Sequence, residues 1–504
     1  MSFSIIKKNL FLRYEFILIL LIFIIAFLIR VYSIGEVGFN NDEAIYSGQA
    51  ASLAGFEEFQ KDFSIFRAHP LLTQFFISLT FFIFGISETT ARIIPVIFGS
   101  LTSVVVYYIG KLIYNQKLGF LASIIIALLP YHIIITKQVL VDVPLSFFFS
   151  LVLLLLILLD KKNNKFIVFL IGSFAGLSFI SKEIGILTIP LSIISFIIIK
   201  QANLKNIVIF FSAFTLFSSP YWISFITIDE ARTSLLSYME WQSSRPPNHD
   251  LLYYFEILSK DILGYALSLL FLISLIYFIV KRKYSSKNLT LLSIWLFIPF
   301  IFYQILSIKG YHFLITLIPF FILFSISILN TSLLNKFRFK EIIIIILIPI
   351  IIGSNNIFIS EVILAQKYYP TLGSETAEEM KDTALWLRDN TTNNSTILTI
   401  YTHMANILKF YSHRDAISLQ SNNNPAYDQI ENADLLILSG KINYLVSEQK
   451  QVDNAKFLEK KSRVMNDYII RYNGIPVYST YDTDRHEDTE ESIKAAITVY
   501  SINK

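Results

Sequence analysis

The chain has no cysteine among its 504 residues and few charged residues, which make up 16% of the total. The absence of cysteine excludes disulfides and thiolate chemistry, and it leaves the redox compartment undetermined. A soluble domain usually carries about 25% charged residues, so the shortage of charge indicates a large apolar environment. The net charge of +4 is too small to indicate a nucleic-acid partner.

The shortage of charge is confined to the first 359 residues, where long apolar runs recur from Phe16 to Ile359. Such runs can cross a ~30 Å hydrocarbon core, which takes about 20 helical residues. No small-residue cleavage site follows the first run, Phe16 to Val31, so it is predicted to be a retained span and not a signal peptide. We therefore predict an α-helical polytopic membrane protein with a membrane domain at 1–359 and a separate domain at 360–504.

About eleven spanning helices are predicted from the apolar runs. They cover residues 14–32, 93–113, 118–136, 144–159, 166–181, 184–199, 206–227, 257–280, 289–307, 312–330 and 341–359. One further apolar stretch, 71–86, is ambiguous. Counting it as a span reverses the orientation of everything that follows it.

Lysine and arginine residues between the spans decide this ambiguity. Seventeen basic residues lie in six short segments, at 7–13, 111–117, 161–165, 200–205, 281–287 and 336–340. If 71–86 does not span the membrane, all six segments are cytoplasmic. If 71–86 does span it, only the N-terminal segment is cytoplasmic. The positive-inside rule favours the first arrangement, so 71–86 is predicted to be a helix in the outer interface. The N-terminus is then cytoplasmic and the C-terminal domain extracytoplasmic.

The first predicted outer loop carries two adjacent carboxylates, Asp42 and Glu43, followed by Tyr46. Ala50 and Ala51 favour a short helix that begins at the pair. A carboxylate at the start of a helix either caps it or is available as a general base. The simpler interpretation is a solvated loop with ordinary acidic residues.

Further ionisable residues cluster at the predicted outer ends of the spans. Such residues close to hydrocarbon are costly and suggest function, although each one alone could simply end a helix at the headgroup level. Together they predict a cationic rim that faces several carboxylates, a combination that suits an anionic lipid headgroup and a general base. The residues are Arg92, Lys137, Asp142, Lys182, Glu183, Lys309 and His312.

The predicted outer loop 228–256 is a second candidate binding segment. It contains Arg245 and His249 beside two prolines and several aromatic residues. Prolines and aromatic residues at an interface are typical of simple anchoring. A loop of this length over a membrane site also suits a lid or a substrate-binding flap.

These motifs form an ordered series that resembles the family 39 glycosyltransferases over roughly residues 10–330. The family includes the protein O-mannosyltransferases and the aminoarabinose transferase of bacterial lipid A, and it has the GT-C membrane architecture. The motifs are Asp42-Glu43-Ala44 with Tyr46, His69-Pro70-Leu71, Ala91-Arg92-Ile93-Ile94-Pro95 with Gly99, Lys137 with Asp142, Gly176-Leu177 with Lys182, and Lys309-Gly310-Tyr311-His312 with Pro319.

Two departures from the family pattern are present. His69-Pro70-Leu71 has one proline where the mannosyltransferases have two, which weakens the case for a protein acceptor. Lys309 stands where many relatives have arginine, a change that is compatible with phosphate binding by a point charge.

The resemblance implies transfer of a sugar, such as the hexose mannose, from a polyprenyl or dolichyl phosphate carrier. The acceptor would be a protein, lipid or glycan outside the cytoplasm, and membrane lipids would be the other partners. No metal or cofactor besides this lipid-linked donor is implied. The resemblance implies that Asp42 is the general base, with Glu43 beside it. It implies that Lys182, Lys309 and His312 bind the donor phosphate, and that Arg92 either binds the phosphate or braces the loop. The residues that it implies for substrate positioning are His69, Asp142, Tyr46, Lys137, Arg245 and His249.

The pattern of the last 130 or so residues predicts a small α/β domain. Helices are expected over 377–389 and 404–411, and strands over 397–401 and 434–438. His403, His413 and Arg414 are polar candidates in this domain, although satisfied structural residues are the commoner case. Acceptor-type glycosylation sequons at Asn390, Asn393 and Asn394 fit an extracytoplasmic domain, but they arise readily by chance in an Asn-rich stretch.

Three alternative functions were weighed against this interpretation. A secondary transporter with an extracellular domain would show internal repeats and broken helices at mid-membrane depth, and no convincing repeat is present. A receptor with a ligand-binding outer domain would leave the ordered motifs unexplained. An oligosaccharide transferase would favour a metal-binding acidic set and a Trp-Trp-Asp-type motif, which the sequence lacks.

Overall fold

The computed structural model describes residues 2–66, 69–280, 286–330, 340–355, 377–400, 402–419, 442–448, 456–481 and 495–502. The chain forms two compact units. The first unit comprises Met1–Ile34, Phe66–Phe76 and Arg92–Gln366, and the second comprises Gly35–Ile65, Ile77–Ala91 and Lys367–Lys504. Residues 35–65 and 77–91 of the first predicted outer loop, 33–92, therefore belong to the same compact unit as the C-terminal residues.

Helices dominate the described part of the chain. In chain order they are α1 (Ser2–Val31), α2 (Asn41–Leu53), α3 (Glu57–Gln60), α4 (Leu72–Phe84), α5 (Glu88–Ile113), α6 (Gln116–Leu128), α7 (Pro130–Thr136), α8 (Asp142–Lys161), α9 (Lys165–Ser181), α10 (Thr188–Ile198), α11 (Leu204–Thr227), α12 (Asp229–Ser244), α13 (Tyr253–Ile257), α14 (Tyr265–Val280), α15 (Lys287–Ile305), α16 (Ile318–Ser325), α17 (Lys340–Gly353), α18 (Ala377–Asn390), α19 (Thr402–Ser412) and α20 (Lys456–Arg471). Short 3₁₀ helices cover Glu183–Leu187, Tyr311–Leu317 and Ile326–Asn330, and a π turn covers Leu258–Ile262.

The apolar helices make the chain a multi-pass membrane protein. Among the described residues, five helical segments are long and apolar enough to cross a bilayer, namely α5, α8, α11, α15 and Tyr311–Asn330. The bent pair of α6 and α7 raises this number to six. Shorter apolar helices occupy three more predicted spans, at α9, Glu183–Ile198 and α14. The count of about eleven spans stays a prediction.

Two predicted spans are interrupted by backbone breaks. The span predicted over 118–136 consists of α6 and α7, which meet at an angle of 60° at Leu129 and Pro130. Proline cannot donate a backbone hydrogen bond, and its ring clashes with the preceding turn, so it ends α6. The span predicted to begin at residue 257 begins at Tyr265, because Gly264 adopts a left-handed φ of +76° that no helix continues through.

The helix predicted over 71–86 is observed as α4. Its 13 residues extend about 20 Å at 1.5 Å per residue, which is less than the ~30 Å hydrocarbon core. Phe75, Leu79 and Phe82 are exposed along it. This length is compatible with a helix that lies in the interface, and its depth in the membrane stays a prediction.

A small mixed sheet lies in the second unit. The strands are β1 (Thr396–Thr399), β2 (Asp415–Ser418), β3 (Ile442–Glu448), β4 (Ile475–Tyr481) and β5 (Ala495–Ser501). Their order in the sheet is β2-β1-β3-β5-β4, with β1 parallel to β2 and β3, and β5 antiparallel to β3 and β4.

The small α/β domain is thereby confirmed, together with its predicted strand at β1 and its predicted helices at α18 and α19. The four-residue strand β2 and the strands β3, β4 and β5 were not predicted. The strand predicted over 434–438 lies outside the described residues.

Candidate active site

A buried ion pair forms the centre of the candidate site in the first unit. Lys182 Nζ lies 2.8 and 2.9 Å from the two carboxylate oxygens of Asp142. Asp142 is 1% exposed and Lys182 is 7% exposed, so both charges are withdrawn from solvent. His312 Nε2 lies 3.6 Å from Asp142 Oδ2, and the ring of Phe313 lies 4.2 Å from the Lys182 ammonium. Three predicted site residues are therefore in one cluster.

Helix ends bring these side chains together. Asp142 is the first residue of α8, Lys182 follows the last residue of α9, and His312 lies in the first turn of a 3₁₀ helix. Lys182 is extended, with φ −157° and ψ 145°, and successive side chains of extended backbone point in opposite directions. Lys182 consequently contacts Asp142, while the neighbouring Glu183 points elsewhere.

Glu183 makes a second polar contact with a predicted site residue. Its carboxylate oxygens both lie 3.0 Å from His69 Nδ1. The ring of Tyr238 on α12 packs edge-to-face on His69, with the ring centroids 5.3 Å apart. The histidine of the His69-Pro70-Leu71 motif is thus held between the segment after α9 and helix α12.

The segment around Lys309 is fixed through its backbone. Asn248 donates to the Lys309 carbonyl at 2.9 Å and accepts from the Lys309 amide at 2.8 Å. The Tyr254 hydroxyl bonds to the backbone of Gly310. Lys309 Nζ donates to the Leu306 carbonyl at 2.8 Å, and the described residues place no carboxylate within ion-pair distance of it. Lys309 is therefore a buried cation with donor capacity left for an anion.

Two predicted cations contact the chain that leaves α1. Arg92 Nη1 donates to the Ile34 carbonyl at 2.7 Å, and Lys137 Nζ donates to the Tyr32 carbonyl at 3.1 Å. Both side chains are buried. Both side chains are thus held against the segment that leads toward Asp42 in the sequence.

A buried arginine that the sequence reasoning missed occupies the break between α6 and α7. Arg30 is fully buried and all five of its N–H donors are used. They reach Thr136 Oγ1 (2.8 Å), the carbonyls of Ala26 (2.8 Å), Ala127 (3.1 Å) and Ile126 (3.4 Å), and His132 Nδ1 (2.8 Å). The carbonyls at the end of α6 have no following helical turn to bond to, and Arg30 satisfies them.

The two adjacent carboxylates of the second unit have different environments. Asn40 caps α2, because its side chain accepts from the Glu43 amide at 3.0 Å. The Glu43 carboxylate accepts in return from the Asn40 amide at 3.2 Å, which completes a capping box. Glu43 is buried, whereas Asp42 in the same turn is partly exposed. Asp42 is thus the carboxylate with the access that a general base needs.

The remaining predicted positioning residues are Tyr46, Arg245 and His249. Tyr46 is buried on α2. Arg245 lies near Gln242, with 3.5 Å between its Nη1 and the amide oxygen, and burial lowers the pKa of Arg245. The exposed His249 ring stacks on Tyr253 at 3.8 Å. His249 and Tyr253 both lie in the predicted outer loop 228–256.

A polar cavity of about 680 Å³ lies in the second unit. It is lined by Glu57, Glu58, Lys61, Asp62, Arg388, Asn393, Asn394, Ser395, Thr396, His413, Arg414 and Asp415. Arg414 is structural, because its guanidinium donates to Thr391 and to backbone carbonyls. Burial lowers the pKa of His413. The side chain of His403 lies outside the described residues.

Several contacts of the candidate site have only a partial signal in the sequence. An arginine in an apolar run, as at Arg30, is itself a signal of a buried polar network. The spacing of Asn40 and Glu43 is that of a capping box. By contrast, Asp142 is 40 residues from Lys182, and Asn248 is 61 residues from the Lys309 backbone that it contacts. Within the described residues, no group of three or more His, Asp or Glu side chains could hold a metal ion.

Comparison with solved structures defines the fold. The chain is similar to ArnT from Cupriavidus metallidurans, with a TM-score of 0.63 and 11% identity over 97% of this chain and 98% of that one. That protein has been solved in the apo state and bound to undecaprenyl phosphate. The oligosaccharyltransferase of Archaeoglobus fulgidus is also similar, with a TM-score of 0.57 and 14% identity over 91% of this chain and 71% of that one. The fold is therefore the GT-C fold.

A family model adds evidence from sequence. Residues 68–223 match the model described as dolichyl-phosphate-mannose-protein mannosyltransferase. No curated protein sequence matches the chain. The chain thus shares its fold with these membrane proteins, and less than a third of it matches this family model.

Proposed function

We propose that the protein transfers a sugar from a polyprenyl phosphate carrier to an acceptor on the extracytoplasmic side of the membrane. The sugar is a hexose such as mannose, and the acceptor is a protein, lipid or glycan hydroxyl. Asp42 is the general base, and Lys182, Lys309 and His312 bind the donor phosphate. The extracytoplasmic location follows from the distribution of Lys and Arg between the spans.

The observation that carries this proposal is the buried cluster of Asp142, Lys182 and His312. A lysine ammonium has three donors, and the contact with Asp142 leaves capacity for a phosphate oxygen. Asp142 orients Lys182 and offsets its charge while the site is empty. Charge-assisted hydrogen bonds to phosphate are among the stronger protein contacts, and here they form where water is excluded.

The proposed reaction balances without a further reactant. The acceptor hydroxyl oxygen attacks the anomeric carbon, the bond from that carbon to the phosphate oxygen breaks, and the configuration inverts. The hydroxyl proton passes to Asp42, which must lie within about 2.6–3.2 Å of that oxygen. The polyprenyl phosphate leaves as an anion and needs charge stabilisation but no protonation, which Lys182 and Lys309 supply.

Relatives support a lipid phosphate donor. ArnT has been solved with undecaprenyl phosphate, and the Archaeoglobus fulgidus oligosaccharyltransferase with dolichol-phosphate and an inhibitory peptide. The matching family model carries mannose in its description. The alternative of a secondary transporter receives no support from these relatives.

The direct test is sugar transfer in membranes that contain the protein and are supplied with radiolabelled polyprenyl-phosphate hexoses. Wild-type protein is expected to move label to an acceptor fraction, and Asp42→Asn to lose about 100-fold or more in rate, the lower end of the typical contribution of general base catalysis. Asp382→Asn, an exposed carboxylate on α18, is the matched control and keeps full activity. Full activity of Asp42→Asn would contradict the proposed base. Uptake of label without covalent transfer would indicate a transporter instead.

A further inference from the structure

A hydrogen-bond relay links the C-terminal part of the second unit to Asp42. Asn406 on α19 donates from Nδ2 to Asn41 Oδ1 at 2.8 Å. Asn41 in turn donates from Nδ2 to Asp42 Oδ1 at 3.1 Å. Asn406 is buried, while Asn41 and Asp42 are partly exposed. A side chain 365 positions away in the sequence thus determines how the residue beside the proposed base is oriented.

The chemistry of the relay allows only one direction of donation. An ionised carboxylate only accepts hydrogen bonds, so the NH₂ group of Asn41 must face Asp42. The carbonyl oxygen of Asn41 must then face Asn406, and Asn406 must donate. A side chain at position 406 that cannot donate would remove the relay or turn the Asn41 amide away from Asp42.

Additional contacts keep α19 in register with this turn. The Tyr411 hydroxyl accepts from the Phe39 amide at 2.8 Å and donates to Glu88 Oε1 at 2.9 Å. The fully buried ring of Phe39 lies against Phe410 and Tyr411, with centroid distances of 5.0 and 6.0 Å. Lys381 on α18 pairs with Glu88 at 2.5 Å. Helix α19 therefore cannot shift along α2 without breaking several buried contacts.

We propose that Asn406 is a positioning residue for the Asp42 carboxylate and acts through Asn41. A general base is effective only when its oxygen points at the proton that it removes, and such orientation comes from hydrogen bonds to residues behind the base. The proposal rests on the proposed function, because Asp42 is a base only there. It gives the C-terminal residues an indirect part in the reaction, through the orientation of the base.

Other charged groups lie on the elements packed against the first turn of α2, away from the relay. Glu43 accepts from the Asn40 amide. Lys409 on α19 lies 3.7 Å from Asp62 and 3.8 Å from Asp415. Glu57 and Glu58 on α3 and Lys61 after it line the polar cavity, as does His413 after α19. A substitution at Asn406 leaves all of these in place, so its effect on Asp42 can be measured by itself.

The test compares Asn406→Ala and Asn406→Asp with wild type in the transfer assay. Either substitution removes the donor to the Asn41 amide, so the Asp42 carboxylate loses its orientation and proton abstraction becomes slower. We expect kcat at neutral pH to fall about tenfold or more, with KM for the lipid donor unchanged.

The matched control is Asn394→Asp, the same substitution at an exposed position in the C-terminal residues. It is expected to keep the wild-type kcat and KM. Wild-type values in both Asn406 variants would overturn the proposal. A rise in KM for the lipid donor in step with the fall in kcat would also overturn it, because it would indicate a general structural effect.

An infrared measurement separates this proposal from the proposed function. The wild-type spectrum minus that of Asp42→Asn isolates the Asp42 carboxylate band, whose frequency depends on the hydrogen bonds that the carboxylate accepts. We expect this band to lie at a different frequency in Asn406→Ala, because the Asn41 amide is no longer held against Asp42 Oδ1. Equal frequencies would refute the relay whether or not sugar is transferred. A frequency difference in a protein that transfers no sugar with any lipid donor would refute the proposed function and leave the orientation by Asn406 standing.

Discussion

The buried ion pair of Asp142 and Lys182 is expected to be strongly coupled. Asp142→Asn leaves the Lys182 ammonium buried beside a neutral amide, with the ring of Phe313 at 4.2 Å as its remaining electrostatic contact. Lys182→Met leaves the Asp142 carboxylate with His312 Nε2 at 3.6 Å. Removal of one partner of a buried pair typically costs about 3–5 kcal/mol, because it leaves a charge uncompensated away from water.

The double variant separates the interaction between the two charges from the interaction of each charge with its surroundings. Asp142→Asn with Lys182→Met removes both charges, so we expect it to lose no more stability than the worse single variant. The two single losses add to about 6–10 kcal/mol, so the coupling energy is expected to exceed about 3 kcal/mol. The assay is unfolding of the purified protein in detergent micelles, measured for all four members of the cycle under the same conditions.

An exposed ion pair supplies the control. Arg232 and Asp229 on α12 form an ion pair with side chains 44% and 85% exposed. Exposed pairs contribute about 0–1 kcal/mol, so Asp229→Asn is expected to change stability little. If Asp142→Asn costs no more than Asp229→Asn, or if the two buried single variants are additive, the ion pair does not organise the candidate phosphate site.

Three further predictions follow from other contacts. Arg30→Met removes the guanidinium that donates to the carbonyls at the α6–α7 break, and it is expected to destabilise the purified protein by about 3 kcal/mol or more. The measurement is unfolding in detergent, and wild-type stability would show that these carbonyls do not depend on Arg30. Asn248→Ala removes two hydrogen bonds to the Lys309 backbone and is expected to raise KM for the lipid donor several-fold with little change in kcat, so an unchanged KM would count against a phosphate-binding function of Lys309. A reporter fused after Lys283 is expected to be cytoplasmic, and an extracytoplasmic reporter would contradict the orientation assigned from charge.

Apolar length and the distribution of charge were sufficient to predict the fold class. They identified a polytopic helical membrane protein with a small α/β domain, because both properties are local in sequence. The break at Pro130 was also present in the sequence as a helix-ending residue. The late start of α14 after Gly264 was not predicted. The apolar run continues through that glycine, and hydropathy does not indicate that the backbone there is left-handed.

The candidate site was predictable as a set of residues but not as a set of contacts. Asp142 and Lys182 were recognisable because ionisable residues are rare at the ends of apolar runs. Their pairing was not, since 40 residues separate them and many other pairings were compatible with the pattern. Asn406 gave no signal, because its importance depends on a contact with Asn41 that only the folded second unit creates.

The adjacent carboxylates Asp42 and Glu43 show that residue type alone does not predict which of two neighbours is buried. Asp42 and Glu43 are equivalent by composition, yet a capping box buries one and leaves the other partly exposed. The spacing of Asn40 and Glu43 carried that information, because a side-chain acceptor followed three residues later by Glu is the pattern of a capping box. Local hydrogen-bond patterns can therefore rank neighbouring candidates that composition alone cannot separate.

The most direct test of the central claim uses purified protein in liposomes with a synthetic polyprenyl-phosphate hexose and an acceptor extract. The account predicts release of free polyprenyl phosphate in step with sugar transfer, loss of both in Asp42→Asn, and no transfer when a nucleotide sugar replaces the lipid donor. Transfer from the nucleotide sugar at a comparable rate, or no release of polyprenyl phosphate from any lipid-linked hexose, would contradict it.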